Sequence, residues 1–135
     1  MDDATLRETA ERVGELAQSM GDTEALRVLD QHPAPLLLMR GVSEIAYCNT
    51  AFCDLVGYTR EELLALDAMN IIVSNDREDA LATQRALSRG EAVPGPYRVS
   101  LARKDGEAVE VLATARVFKV RNKVFGRLVR VHITA

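Results

Sequence analysis

Aromatic residues, cysteines and histidines are scarce in this chain of 135 residues. It contains no Trp, aromatic residues make up 4% of the total, and there are two cysteines and two histidines. A large stacking cofactor would therefore lack its usual aromatic partners, and neither a disulfide framework nor a zinc site has enough ligands. Cys48 and Cys53 are predicted to be reduced, small packing residues.

Long apolar runs and an excess of positive charge are also missing. No run approaches the roughly 18 apolar residues of a membrane span, and the N-terminal stretch MDDATLRETAE is too acidic and polar for a signal peptide. The formal net charge of -3 gives no electrostatic case for nucleic acid as the main partner. These features predict a cytoplasmic protein that neither enters a membrane nor binds nucleic acid directly.

The first 22 residues predict an amphipathic helix that precedes the main domain, which is assigned to residues 23–135. Within residues 4–20, apolar side chains recur at alternating spacings of three and four, as in a short heptad seam. The seam consists of Leu6, Thr9, Val13, Leu16 and Met20. Two interpretations are open: the helix lies on its own domain, or it is a dimerisation helix.

The sequence of the main domain predicts two strands, several short helices and then three strands. A helix through about Gln31 precedes a hairpin formed by the segments APLLLMRG and EIAYCN. Further on, REDALATQRALSRG predicts a longer helix, capped by Asn75 or Asp76. The buried stripe of this helix is only mildly apolar and consists of Ala80, Thr83 and Leu87.

The last forty residues alternate in polarity and turn at two places. An Asp-Gly pair at Asp105 and Gly106, between alternating runs, is a strong hairpin signal, and Arg121-Asn122 marks the next turn. The layout is therefore α+β, with a five-stranded antiparallel sheet.

The segment from Tyr47 to Leu66 resembles the signature of PAS sensory domains. A strand ends at Asn49, a short helix follows, Gly57-Tyr58 interrupts it, and the capped segment TREELLAL begins a second helix. Asp76-Arg77, the Lys-Asp-Gly turn and the terminal VHITA are similar to further motifs of that family. The resemblance covers about residues 24–134. It implies strand order 2-1-5-4-3, short helices on one face of a curved sheet, and a small cavity between them.

The faces of the last strand follow from the alternation of side chains along a strand. Leu128, Arg130 and His132 are predicted to face the cavity, with alternate residues of the two preceding strands. The candidate ligand-binding residues are Tyr97, Val99, Leu101, Val111, Ala113, Leu128 and Arg130. The opposite face is predicted to lie under the N-terminal helix or a partner subunit. The candidate interface residues are Leu6, Val13, Leu16, Met20, Val129, Val131 and Ile133.

Two polar residues on the last strand need an explanation. Arg130 on an apolar face is costly unless it is paired, and three interpretations are open: it meets an internal carboxylate, an anionic ligand, or solvent. His132 stands where the family has the Asp of its Asp-Ile-Thr ending. It is interpreted either as a polar strand-end residue or as a pH-sensitive junction.

Flavin and haem are not expected as cofactors. Flavin-binding members of the family use a Cys after the two short helices, and haem-binding members usually have a His on the long helix. The corresponding segments here, DAMNIIVSN and REDALATQRALSRG, have neither. An unknown small molecule remains the candidate ligand.

The resemblance implies a sensory and dimerisation module. Such a module is expected to form a homodimer and to precede a C-terminal effector, namely a histidine kinase, a cyclic-dinucleotide enzyme or a transcription regulator. The alternative is a purely structural interaction module without ligand. A small cone-shaped α+β enzyme is the rival class, but no carboxylate falls on the predicted cavity face of the last three strands, so catalysis is not predicted.

Overall fold

A computed structural model describes residues 3–19, 22–93, 95–120 and 123–134. Five strands form one antiparallel sheet in the order β2-β1-β5-β4-β3, which confirms the predicted fold class. The elements in chain order are α1 (Asp3–Ser19), α2 (Asp22–Asp30), β1 (Leu36–Arg40), β2 (Glu44–Cys48), α3 (Thr50–Val56), α4 (Arg60–Ala65), two 3₁₀ turns (Ala68–Ile71 and Ser74–Asp76), α5 (Arg77–Ser88), β3 (Tyr97–Ala102), β4 (Ala108–Val120) and β5 (Lys123–Ile133). Among these described helices, none combines the length and the apolar character needed to cross a membrane.

Local capping signals separate α3 from α4. Asn49 caps α3, with its side chain accepting a hydrogen bond from the Phe52 N–H. The helix ends at Gly57, whose left-handed φ of 80° suits a residue without a Cβ. Thr59 then begins α4 with the predicted capping box to Glu62. Two short helices therefore replace one long helix after β2.

The start of α5 agrees with the prediction in position but not in hydrogen bonding. Asp76, one of the two predicted caps, is the N-cap residue of α5, but its side chain makes no capping hydrogen bond. Its Oδ2 instead accepts the Ser100 N–H at 2.8 Å, which ties the beginning of α5 to β3. At the other end of α5, Gly90 has a left-handed φ of 83°, a conformation typical of the residue that follows a helix.

The two faces of the sheet are covered by different elements. Helices α3, α4 and α5 lie on one face, called here the cavity face, and α1 lies on the other. Leu6, Ala10 and Val13 of α1 are fully buried against Leu36, Leu38, Tyr47 and Leu128. In the structure, α1 lies on its own domain, which is the first of the two interpretations of this helix. The domain division after residue 22 stays a prediction.

A β-bulge determines which side chains of β5 face the cavity. Next to the turn, Val120 pairs with Lys123, but beyond an irregularity between Phe118 and Lys119 the register is shifted by one residue. Without this bulge, a two-residue turn would pair Ala113 with Arg130; the structure pairs Ala113 with Val131. A slip of one residue exchanges the two faces of a strand.

The predicted faces of β5 were therefore wrong. Leu128 packs under α1, and Arg130 lies on that side as well, where it donates a hydrogen bond to Thr114 Oγ1 at 3.3 Å. Val129 and Val131, predicted to lie in an interface, belong instead to the core of the cavity face. Ile133, at the end of the strand, is 44% exposed.

Candidate functional site

The short helices leave unfilled space above the cavity face of the sheet. An inner cavity of about 70 Å³ lies between the sheet and the helical layer. Its lining is apolar apart from Gln84 of α5 and comprises Leu37, Met39, Phe52, Ala68, Met69, Ile71, Ile72, Gln84, Val99, Leu101, Val111, Ala113, Val129 and Val131. The resemblance had implied such a cavity, and it is present.

An outer cavity of about 120 Å³ adjoins the inner one between α5 and β3. It is more polar, and its lining comprises Ile72, Asp76, Asp79, Ala80, Thr83, Gln84, Tyr97, Arg98, Val99 and Ala113. The two cavities share Ile72, Gln84, Val99 and Ala113. We call them together the paired cavities, and Gln84 is the polar side chain at their boundary.

Arg127 of β5 is the buried charge on the cavity face. Only 1% of it is exposed, and desolvation by burial lowers the pKa of its guanidinium to about 10. Nη1 donates to Gly41 O at 2.7 Å, Nη2 to Val42 O at 2.9 Å, and Nε to Gln84 Oε1 at 2.9 Å. Among the described residues, no carboxylate lies within ion-pairing distance of it. A buried positive charge is therefore held by neutral acceptors alone.

The contact with Arg127 fixes the orientation of the Gln84 amide. A guanidinium can only donate hydrogen bonds, so the group facing it must be the amide oxygen. Nη2 of Arg127 also donates to the same Oε1, at 2.5 Å. The amide nitrogen of Gln84 therefore points away from Arg127, and it has no hydrogen-bond partner among the described residues.

Five of the seven predicted ligand-binding residues lie on the cavity side. Tyr97, Val99 and Ala113 line the outer cavity, while Val99, Leu101, Val111 and Ala113 line the inner one. The Tyr97 hydroxyl already donates to Val93 O at 2.7 Å. The role of these residues in ligand binding stays a prediction.

Most predicted interface residues have no free surface in the chain. Leu6 and Val13 are buried between α1 and the sheet, and Val129 and Val131 are buried on the cavity side. The side chain of Leu16 and the whole of Met20 lie outside the described residues. His132 is exposed near the end of β5.

Two functional candidates, Gln84 and Arg127, were missed by the sequence reasoning. By alternation, Arg127 falls on the same face of β5 as Val129 and Val131, and that face was predicted to lie under the N-terminal helix or a partner subunit. The available signal was that this one charged residue stands among Val129, Val131 and other apolar positions of that face. Gln84 gave no comparable signal, because a glutamine beside a weakly apolar stripe is ordinary on a surface helix.

Other chemistry at the site is limited. Within the part of the chain that the structure describes, no group of three His, Cys, Asp or Glu side chains is placed to hold a metal ion. Cys48 and Cys53 are free thiols with their Sγ atoms 3.8 Å apart. Burial raises the pKa of the Cys48 thiol to about 12, so it stays protonated.

Comparisons with known proteins agree with this geometry. A family model described as "PAS domain" matches residues 33–134. The C4-dicarboxylate transport sensor protein DctS of Rhodobacter capsulatus is 38% identical over 68 residues, which are 50% of this chain and 10% of that protein. The chain thus spans about a tenth of the length of this curated relative.

Solved structures share the fold at low sequence identity. The PAS domain of a protein from Desulfitobacterium hafniense is 21% identical, with a TM-score of 0.65 over 78% of this chain and 96% of that one. A PAS domain from a two-component sensor histidine kinase is 15% identical, with a TM-score of 0.67 over 83% of this chain and 95% of that one. At these identities the likeness concerns the fold.

Proposed function

Because this chain belongs to the PAS domain family, we propose that it is a sensory module that binds a small molecule in its paired cavities. The observation that carries the proposal is the boundary between these cavities, where the oriented Gln84 amide meets an apolar interior. Small-molecule sites are typically apolar pockets with a few placed polar groups. The similarity to a transport sensor protein supports a role in signalling.

The size of the cavities supports a small ligand rather than flavin or haem. An apolar cavity of about 150 Å³ is enough for benzene, and the inner cavity, at about 70 Å³, is smaller. We propose binding without catalysis. The carboxylate of Asp76, at the wall of the outer cavity, already holds the Ser100 N–H, which supports a structural role for that group.

In this proposal the module acts in the cytoplasm, as a homodimer, and passes its signal to an effector domain. The two free thiols, 3.8 Å apart, support a reducing compartment. The effector is a histidine kinase, a cyclic-dinucleotide enzyme or a transcription regulator. A two-component sensor histidine kinase among the proteins of the same fold makes the kinase the first to test. Since Leu6 and Val13 are buried between α1 and the sheet, the dimer would have to use other surface.

Native mass spectrometry of the purified chain tests the proposal. We expect a retained small molecule in the wild type and in Ala82→Leu, a control on the exposed side of α5. Ala113→Leu should lose it, because Ala113 lines both cavities and the larger side chain fills them. A clean protein mass for the wild type, with no thermal shift from any small molecule offered, would favour the structural interaction module instead.

A further inference from the structure

The strongest unexplained feature of the cavity side is the charge of Arg127. Arg127 is 1% exposed, and its guanidinium is surrounded by neutral acceptors: two backbone carbonyls and the Gln84 amide oxygen. Burying a charge without a counter-ion is costly even when its hydrogen bonds are made. The interior beside Gln84 therefore carries an uncompensated positive potential that would favour an anion.

Gln84 relays this positive charge to the paired cavities. Its oxygen is held by Arg127, so the N–H₂ end of the amide dipole points away from the charge, and the Gln84 side chain lines both cavities. The neighbouring Thr83 also lines the outer cavity, and its hydroxyl has no hydrogen-bond partner among the described residues. Two adjacent donors of α5 are thus available at one place.

The two acidic groups of the outer cavity, Asp76 and Asp79, oppose this preference but are partly offset. Asp76 Oδ2 is occupied by the Ser100 N–H at 2.8 Å. Asp79 is exposed, so water screens its charge. Arg98, also exposed, contributes a positive charge to the same wall and lies 3.6 Å from Glu110. The donors nearest to the apolar interior remain those of Gln84 and Thr83.

We propose that the paired cavities bind a short-chain aliphatic monocarboxylate, whose carboxylate accepts hydrogen bonds from Gln84 Nε2 and Thr83 Oγ1 and whose tail lies in the inner cavity. The proposal rests on the proposed sensory function and names its ligand class. The proposal follows from three neighbouring features: the two donors of Gln84 and Thr83, the buried cation of Arg127 that contacts Gln84, and the apolar inner cavity that Gln84 also lines.

The volume of the inner cavity sets the length of the tail. The inner cavity of about 70 Å³ has about half the volume of the apolar cavity of about 150 Å³ that admits the six carbon atoms of benzene, so it admits a tail of roughly two to three carbon atoms. Propionate and butyrate fit this limit. Succinate would place its second carboxylate among apolar side chains, where a charge is not tolerated without a partner. The site should therefore reject dicarboxylates.

Isothermal titration of the 135-residue chain with butyrate, butyramide, octanoate and succinate tests the ligand class. We expect heat of binding with butyrate, binding at least about tenfold weaker with uncharged butyramide because it lacks the charge, and no binding of octanoate or succinate. Succinate binding as tightly as butyrate, or butyramide binding as tightly as butyrate, would overturn the proposal.

Gln84→Glu tests the role of the amide while keeping its shape. The new carboxylate would supply the counter-ion of Arg127, so the variant should fold at least as well as the wild type. It would also remove both N–H donors and repel the ligand, so we expect butyrate binding to fall by about a hundredfold or more. Gln31→Glu, at an exposed position, is the matched control and should bind as the wild type does. Equal butyrate binding by the wild type and Gln84→Glu would overturn the proposal.

Thr83→Val provides a second, milder variant. It removes one donor and keeps the shape of the side chain, and we expect butyrate binding about tenfold weaker. The failure of this inference differs from the failure of the proposed function. If the wild type retains an uncharged small molecule in native mass spectrometry but does not bind butyrate or propionate, the carboxylate site alone is refuted. If the wild type binds no small molecule, the carboxylate site and the proposed sensory function are both refuted.

Discussion

Asn49 is the residue whose replacement should reveal most about how this fold is held together. It is fully buried, and its side chain makes five hydrogen bonds to the backbone. Its Oδ1 accepts from the N–H groups of Leu36 and Phe52 at 2.9 and 3.0 Å. The two hydrogens of its Nδ2 are shared among three carbonyl oxygens between 2.8 and 3.3 Å away, those of Leu29, His32 and Ala34. One amide thus joins the end of α2, the start of β1 and the start of α3.

Asn49→Asp changes this arrangement with almost no change of shape. The two accepted hydrogen bonds remain, but the three donated bonds are lost, and a second carboxylate oxygen then faces three carbonyl oxygens. A buried group left unsatisfied costs about 1–3 kcal/mol, and the shortest lost bond, at 2.8 Å to Ala34 O, should carry most of the penalty. Because several bonds are lost at once, we expect a loss at the upper end of this range, about 3 kcal/mol in the free energy of unfolding at pH 7. For a domain of this size that is a fall of about 10 °C in Tm.

The loss should depend on pH in a defined direction. Carbonyl oxygens around a buried carboxyl disfavour its charged form, so the pKa of the introduced carboxyl in the folded variant should lie above its unfolded value of about 3.9. The variant is then least impaired below about pH 4, where a protonated carboxyl can still donate one hydrogen bond, and it loses stability as the pH rises through the folded pKa. Thermal unfolding followed by circular dichroism between about pH 4 and 8 measures this, with Asn70→Asp, at an exposed position, as the control. A Tm within about 1 °C of that control at pH 7, or a deficit that does not shrink on acidification, would refute the reasoning.

Three further changes test other contacts of the structure. Gly126→Ala should cost about 1–3 kcal/mol in urea unfolding, because a Cβ there would lie 2.6 Å from Met39 O; an unchanged urea midpoint would contradict the close approach of β5 to β1. At pH 8, iodoacetamide should modify Cys53 well before Cys48, because burial raises the pKa of the Cys48 thiol to about 12. Equal rates of alkylation at the two cysteines, measured by mass spectrometry at each site, would contradict that burial. Deletion of residues 1–21 should lower Tm and cause association beyond that of the full chain in light scattering, because it uncovers the apolar face under α1; an oligomeric state and a Tm unchanged from the full chain would show that α1 is dispensable.

The β3–β4 hairpin could be predicted because its turn determines its register. Asp105 and Gly106 lie in a tight connection closed by the Arg103 N–H donating to Glu107 O at 2.8 Å, and the register runs without interruption to Tyr97 and Ala113. The sequence pattern was therefore enough to place the cavity-facing positions of both strands on one side.

The β4–β5 pair could not be predicted in the same way. Its turn fixes the register only as far as the bulge between Phe118 and Lys119, and no residue in that stretch signals an extra position. Apolar side chains do not resolve the question either, because the middle of β5 is buried on both faces, with Leu128 under α1 and Val129 on the cavity side. A strand without a solvent-exposed face gives no alternation from which its orientation can be read.

The weak amphipathicity of α5 was the sequence signal that lay closest to the candidate site. Of the three residues on its predicted buried stripe, Leu87 is 2% exposed, whereas Ala80 and Thr83 line the outer cavity. Small or polar side chains at these positions cannot fill the distance between α5 and β3, so space remains there. A more apolar stripe would have closed that space and stabilised the helix further. Helix α5 thus has small or polar side chains at positions that face the sheet, and its Gln84 lies opposite the buried Arg127. This composition is that of a cavity wall rather than of a poorly packed surface helix.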